Sequence, residues 1–342
     1  MHDAMTANNF DAVRLFAALL VLVSHHFYFL GRHQPAPMAH TLGELGVMIF
    51  FTVSGYLVAE SWYRDPHVAR FAMRRLLRLW PALAVASVLI ALAGSAITSL
   101  PLHDYAGGAA RFVVQNLKLQ ITFNLPGVFV THPDSPMSAV NGSWWTIPLE
   151  AKCYVCLAVL GLIGLRRRWV SLLALVAVAF FYVKTLHAHR AIEVTRNLLF
   201  FYVGFFATGL CARQFRTAIL AARRRWLGAG VAALLVALAM RLPTLAEWVI
   251  VAPATLVIGS LSTPMLRAAG RFGDLSYGIY IYAFLVQQLV VRTWPGPPSL
   301  LGSLLVAILI TSALAWCSWH AVEAPALRLK RRLRSWFPDH AP

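Results

Sequence analysis

Charged side chains are scarce in this chain of 342 residues. Asp, Glu, Lys and Arg together make up 13% of it, about half the ~25% of an ordinary soluble domain. Acids are scarcest, 13 against 30 Lys and Arg. With hydrophobic residues at 59%, too few polar groups remain to cover a surface facing water. That excludes an ordinary cytosolic enzyme and a disordered chain. Four cysteines are too few for a disulfide scaffold. Cys153 and Cys156 form one CxxC inside an apolar run. Without a second pair this is weak support for metal or redox chemistry, and small residues packing between helices is the simpler reading. There is no Walker phosphate loop, no GxSxG elbow, no HExxH, no internal repeat and no low-complexity tract. No cleavable signal peptide is expected, because the start lacks a basic segment and the first apolar stretch is long enough to span.

Long apolar runs take the place of these features. A spanning helix needs ~20 predominantly apolar residues. Ten runs qualify, near residues 10–30, 41–62, 76–98, 144–165, 169–186, 196–213, 226–242, 245–261, 275–292 and 299–322. They predict an all-α, polytopic membrane helical bundle of about ten transmembrane helices, in one integral membrane domain over 1–342. The net charge of +17 would suggest nucleic acid in a soluble protein. In a membrane protein it reports topology, because basic residues collect in cytoplasmic loops. Twenty of the 30 Lys and Arg fall in the even-numbered connections and the tail. Among them are Arg64, Arg70, Arg74, Arg75 and Arg78 after the second run, and Arg328, Lys330, Arg331, Arg332 and Arg334 after the tenth. Eight fall in the odd-numbered connections, and Arg14 and Lys152 lie inside runs. Both termini are therefore expected in the cytoplasm, with a basic tail at about 323–342 and no nucleic-acid partner. The longest outer loop, about 99–143, holds Pro101, Pro126, Pro133 and Pro136. A loop of that length is often a lid or a binding element.

Charges within a bilayer are costly, so each is a functional candidate. The group is Arg14, His25, His26, Glu44, Glu150 and Lys152. Arg14 and His25 are eleven residues apart, which at about 100° per residue returns to within about 20° on a helix, with a rise of about 16 Å. They share one face of the first span, whereas His26 points about 100° away. Glu150 lies about a turn and a half into the fourth span, at a depth similar to that of His25. A carboxylate beside an imidazole orients the ring and stabilises its protonated form, which is the pair needed to take a proton from a hydroxyl. An interhelical polar clamp uses the same residues equally well.

Arg75 and Arg78, in the cytoplasmic run Arg74-Arg75-Leu76-Leu77-Arg78, are i, i+3 and share a helix face. Two guanidiniums there can grip the phosphates of a cytosolic donor such as a coenzyme A thioester or a nucleotide. A plain cytoplasmic anchor has the same composition. In the second span, Ser54-Gly55 permits close helix packing.

Taken in order, these segments resemble the acyltransferase-3 family of bacterial membrane proteins. Phe10-Asp11-Ala12-Val13-Arg14-Leu15 followed by His25 resembles its opening R-x10-H motif. The second-span sequence Gly46–Ser61, then Arg75-Leu76-Leu77-Arg78 with Pro81, match its next two segments. Asn141-Gly142-Ser143-Trp144-Trp145-Thr146-Ile147-Pro148-Leu149-Glu150 resembles its NGS-x-W motif, with Trp145 departing from the commoner pattern. Gly273-Asp274-Leu275-Ser276-Tyr277-Gly278-Ile279-Tyr280 resembles a late segment, which here continues to Ala283-Phe284 where Leu-His is frequent. The resemblance covers nearly the whole chain.

It implies a standalone member, without a fused SGNH domain, in the bacterial inner membrane. Such a protein moves an acyl group, often acetyl, from acyl-CoA to a hydroxyl of a carbohydrate or glycolipid. No cofactor is bound permanently; acyl-CoA (acetyl-CoA) is the donor substrate, and no metal is implied. His25, supported by Glu150, is then the expected general base, either directly or through an acyl-histidine. Arg14 is expected to stabilise the donor, with Arg75 and Arg78 on its phosphates. Ser143, Trp144 and Trp145 are candidates for contact with the sugar, although interfacial aromatics look the same. Two rivals are a multi-span transporter or flippase and a membrane glycosyltransferase, for which Asp104 and Asp134 of the long loop give little support.

Overall fold

A computed structural model describes residues 8–37, 39–130, 138–185 and 191–338, with backbone alone for 191–197 and Arg223. Pro133, Asp134 and Pro136 of the long loop, Arg190 and the last four residues of the tail lie outside the described residues. Among those residues every regular element is helical.

The principal helices are α1 Phe10–Phe29, α2 Leu42–Arg64, α3 Val68–Ser95, α4 Leu102–Leu117, α5 Thr146–Ile163, α6 Arg168–Thr185 and α7 Ala191–Gln214. They continue as α8 Arg216–Ala221, α9 Arg223–Ala239, α10 Pro243–Ser260, α11 Pro264–Arg267, α12 Ser276–Thr293 and α13 Leu300–Ser318. Each of the ten expected runs falls on a helix. Among the described residues seven helices are long and apolar enough to cross a membrane, or eight if the interrupted pair around α11 and α12 is one span. Leu198–Gln214 is a shorter apolar helix, and α9 has 17 residues.

Two compact units divide the chain. The first gathers Met1–Ala17, Pro35–Phe71 and Leu149–Arg271; the second gathers Ala18–Gln34, Ala72–Pro148 and Phe272–Pro342. Thus α1, α3 and α5 contribute residues to both.

In the first unit α2 and α7 meet through glycines. A Cβ at Gly55 would fall inside the Phe206 carbonyl, and one at Gly209 inside the Thr52 carbonyl. Small residues allow such backbone approach, as Ser54-Gly55 suggested. Beside them Phe201, Tyr202 and Phe205 are buried. Helix α2 starts at a capping box: Thr41 Oγ1 accepts the Glu44 amide at 3.3 Å, and Glu44 Oε2 accepts the Thr41 amide at 2.8 Å. Glu44, a candidate functional charge in the sequence, thus has a local structural role. Asn9 ties the chain start to the end of α10, donating its backbone N–H to Gly259 O at 2.9 Å and accepting from Thr263 N at 3.1 Å.

The second unit is built around α12, in which every residue from Ser276 to Gln288 is buried. A helix enclosed on all sides is an interior helix. Helix α13 turns one face inward through Ser303, Ala307, Thr311, Ala315 and Ser318, a spacing of three to four residues. Gly278 leaves no room for a Cβ against Ala315. The last turn of α13 widens into a π-helical segment, Trp319–Glu323, that carries Glu323 to 2% exposure.

The long loop, among its described residues, holds a helix that is not a membrane span. Helix α4 buries Tyr105, Ala109, Phe112 and Asn116 on one side. Tyr105 donates its hydroxyl to Ala91 O at 2.5 Å, and burial raises the pKa of that hydroxyl.

Candidate functional site

His25 and His26 are consecutive on α1, so they diverge by about 100°. His26 is fully buried and meets Ser303 Oγ on α13 at 2.8 Å. Ser303 donates its own proton to Ser299 O at 2.6 Å, which assigns the His26 proton to Nε2. His25 faces α12 instead. It is half-buried, and its ring stands edge-on to Phe284 with centroids 5.1 Å apart. Phe284 in turn meets Phe29 at 4.9 Å. The aromatic at 284, where the family pattern often has histidine, is therefore a wall beside His25.

The segment before α5 belongs to the same unit and is fastened to α12 along its length. Gln288 donates to Ala139 O, and Val140 N bonds Phe123 O at 2.7 Å. Ser143 Oγ donates to Tyr280 O at 3.1 Å, and Trp144 Nε1 to Ile281 O at 3.0 Å. The Tyr280 hydroxyl donates to Ser143 O and accepts from Thr146 Oγ1 at 2.6 Å. Gly142 is needed for this fit, since a Cβ there would lie 2.5 Å from the Phe284 ring. Ser143 and Trp144, sequence candidates for sugar contact, are 2% and 0% exposed and act here as fasteners. Of the three candidates only Trp145 is partly exposed.

Asn141, which opens the NGS-x-W segment but carries no role in the sequence reading, is completely buried here. Neither its amide nitrogen nor its oxygen has a hydrogen-bond partner. It precedes a short 3-10 turn, Gly142–Trp145, yet does not cap it.

Arg78 of α3 lies at the Asp274–Glu323 end of this unit. It pairs with Asp274 and, at 3.3 Å, with Glu323, whose side chains are 10% and 2% exposed. The Tyr277 ring lies under the guanidinium at 5.3 Å. Ser318 holds the other oxygen of Glu323 at 3.1 Å. Arg75, one turn earlier on α3, is half-buried. The two acids were not legible as partners of the RxxR segment, lying 196 and 245 residues away in sequence.

The first unit holds Arg14 and Glu150. Arg14 pairs with Asp11 at 2.5 Å and is 22% exposed. Glu150 accepts from Ser54 Oγ at 3.0 Å and from the Tyr154 hydroxyl. A carboxylate with two hydroxyl donors is held in one orientation. Lys152, two residues on, is exposed. Cys153 is buried and Cys156 exposed, and neither is disulfide-bonded. Among the described residues no group of three or more His, Cys, Asp or Glu could hold a metal ion.

Apolar helices long enough to span a membrane, with buried ionisable groups among the described residues, are those of a polytopic membrane protein. The family model described as an acyltransferase domain matches residues 8–322, and the chain belongs to that family, acyltransferase-3. It is an acyltransferase, which sets aside the transporter and glycosyltransferase readings. Among its relatives, an "O-acetyl transferase" of Shigella phage Sf6 is 28% identical, covering 93% of this chain and 95% of the relative. "Nodulation protein 10" of Rhizobium leguminosarum bv. viciae is 29% identical, covering 97% of this chain and 96% of the relative. No solved structure matches significantly.

Proposed function

We propose that this protein is an O-acyltransferase of the bacterial cytoplasmic membrane. It moves an acetyl group from cytoplasmic acetyl-CoA to a hydroxyl of a cell-surface carbohydrate or glycolipid. The observation that carries this reading is the end-to-end similarity to an O-acetyl transferase together with the family match over 8–322.

In this reading His25 takes the proton from the acceptor hydroxyl. The acceptor oxygen adds to the thioester carbonyl carbon, the C–S bond breaks, and the leaving thiolate recovers the proton from the imidazolium. The products are an O-acetyl ester and free coenzyme A. Glu150, held by Ser54 and Tyr154, supports the imidazolium charge. Arg14 steadies the charge that develops on the thioester carbonyl. Arg75 and Arg78 hold the donor's phosphates, and a phosphate reaching Arg78 competes with Asp274 and Glu323 for its guanidinium.

The test uses radiolabelled acetyl-CoA with purified wild-type and His25→Ala protein, and membrane glycolipid as acceptor. Label should reach glycan with the wild type alone. Full transfer by a folded His25→Ala protein would remove His25 from the chemistry. No transfer by the wild type from acetyl-CoA or longer acyl-CoA would overturn the choice of donor.

A further inference from the structure

A buried polar atom without a partner is costly, because water is lost and nothing replaces it. Asn141 carries two such atoms in one group. Its side chain is 0% exposed, and both Nδ2 and Oδ1 are without hydrogen bonds. Asparagine is a favoured N-cap, and Asn141 stands immediately before a 3-10 turn, where capping would satisfy its oxygen. It makes no such bond.

The backbone around it is not free to swing the carboxamide away. Gln288 holds Ala139 O on one side, while Ser143 and Trp144 bond α12 carbonyls on the other. The next residue, Gly142, is pressed against Phe284, the ring that stands edge-on to His25. Gly142 and His25 are both partly exposed.

The carboxamide offers one donor group and one acceptor, so its partner must both accept and donate. A carbonyl oxygen only accepts and would satisfy Nδ2 alone. A pair of neighbouring hydroxyls both donates and accepts, and so satisfies both ends of a primary amide. We propose that Asn141 is a carbohydrate-binding residue of the acceptor site, holding a hydroxyl pair of the sugar whose reacting hydroxyl faces His25. This rests on the acyl transfer to carbohydrate proposed above and adds to it an acceptor residue and the diol it recognises.

The test pairs substrates with variants. Acetyl transfer from radiolabelled acetyl-CoA is measured on methyl glycosides with a free vicinal diol and on their monodeoxy counterparts. Wild-type protein should prefer the diol in kcat/KM by about 100-fold or more, as sites built to hydrogen-bond a hydroxyl do. In Asn141→Leu, similar in size and apolar, that ratio should fall to about one. Its melting temperature should stay level or rise, because the unsatisfied amide is gone. Asn141→Asp keeps the shape and removes the donor, and its ratio should fall between the two; it serves if the Leu variant does not fold. An unchanged diol preference in the folded variants would overturn the role of Asn141 alone and leave water as its partner. A wild-type protein that hydrolyses acetyl-CoA but acetylates no glycoside would overturn the carbohydrate reading, and the role of Asn141 with it.

Discussion

His25 and Phe284 stand edge-to-face, 5.1 Å between ring centroids, so the position of the candidate base depends on the position of an aromatic ring. That ring has no slack. Phe29 packs its other contact at 4.9 Å, its exposure is 4%, and Gly142 lies where any side chain would strike it.

Gly142→Ala should therefore act on His25 at one remove. The added methyl, 2.5 Å from the Phe284 ring, must push that ring. Overpacking of this kind costs about 1–3 kcal/mol. We expect a lower melting temperature and at least a tenfold loss of transfer. Phe284→Leu in the same chain should restore much of the stability. Additive losses in the double variant would show that the two residues do not press on one another.

Arg78 calls for stability and kinetics to be measured together. With Asp274 and Glu323 at 10% and 2% exposure, Arg78→Ala leaves two buried carboxylates without this cation. Removing one side of a buried pair costs about 3 kcal/mol or more. The expected result is a marked fall in melting temperature, smaller for Arg78→Lys. Arg75→Ala should instead show itself as a raised KM for acetyl-CoA. A melting temperature for Arg78→Ala equal to wild type would show that the cluster contributes nothing to the fold.

Apolar length alone located the helices, because a bilayer demands about 20 apolar residues whatever they pack against. The same rule missed α4, which lies in the loop and declares itself only through the spacing of Tyr105, Ala109, Phe112 and Asn116. The different directions of His25 and His26 followed from helical rotation. The Asp274 and Glu323 partners of Arg78 did not, since they depend on elements far apart in sequence. Ser143 and Trp144 read as sugar contacts because aromatic and hydroxyl side chains suit sugars. Such groups also suit an interior helix with carbonyls to bind, and here they bond Tyr280 and Ile281. Asn141 was legible as part of the NGS-x-W segment but not as a binding residue, because an unsatisfied amide is visible only once the packing around it is known.

Glu247 fastens the approach to α2. Its side chain, 1% exposed, accepts from Ala39 N at 2.9 Å, His40 N at 3.1 Å and His40 Nδ1 at 2.5 Å. Glu247→Leu would leave these donors without their acceptor, at a cost of about 2 kcal/mol. Amide exchange at Ala39 and His40 should speed up more than exchange within α10. Unchanged exchange there would mean that the segment is held by other contacts.

Gly55 tests how tightly α2 and α7 are locked. The atom in the way of a Cβ at position 55 is the Phe206 backbone carbonyl, and Gly209 meets the Thr52 carbonyl in the reverse direction. A side-chain tip can turn aside, whereas a backbone carbonyl moves only if its helix moves. Gly55→Ala should therefore cost more than the Gly142 substitution, about 2 kcal/mol or more, and Gly209→Ala about as much. Because both would force the same separation of the helices, the double variant should lose less than the sum of the two. Thermal unfolding of the three proteins in one detergent decides it, and strictly additive losses would show that the two glycines serve separate contacts.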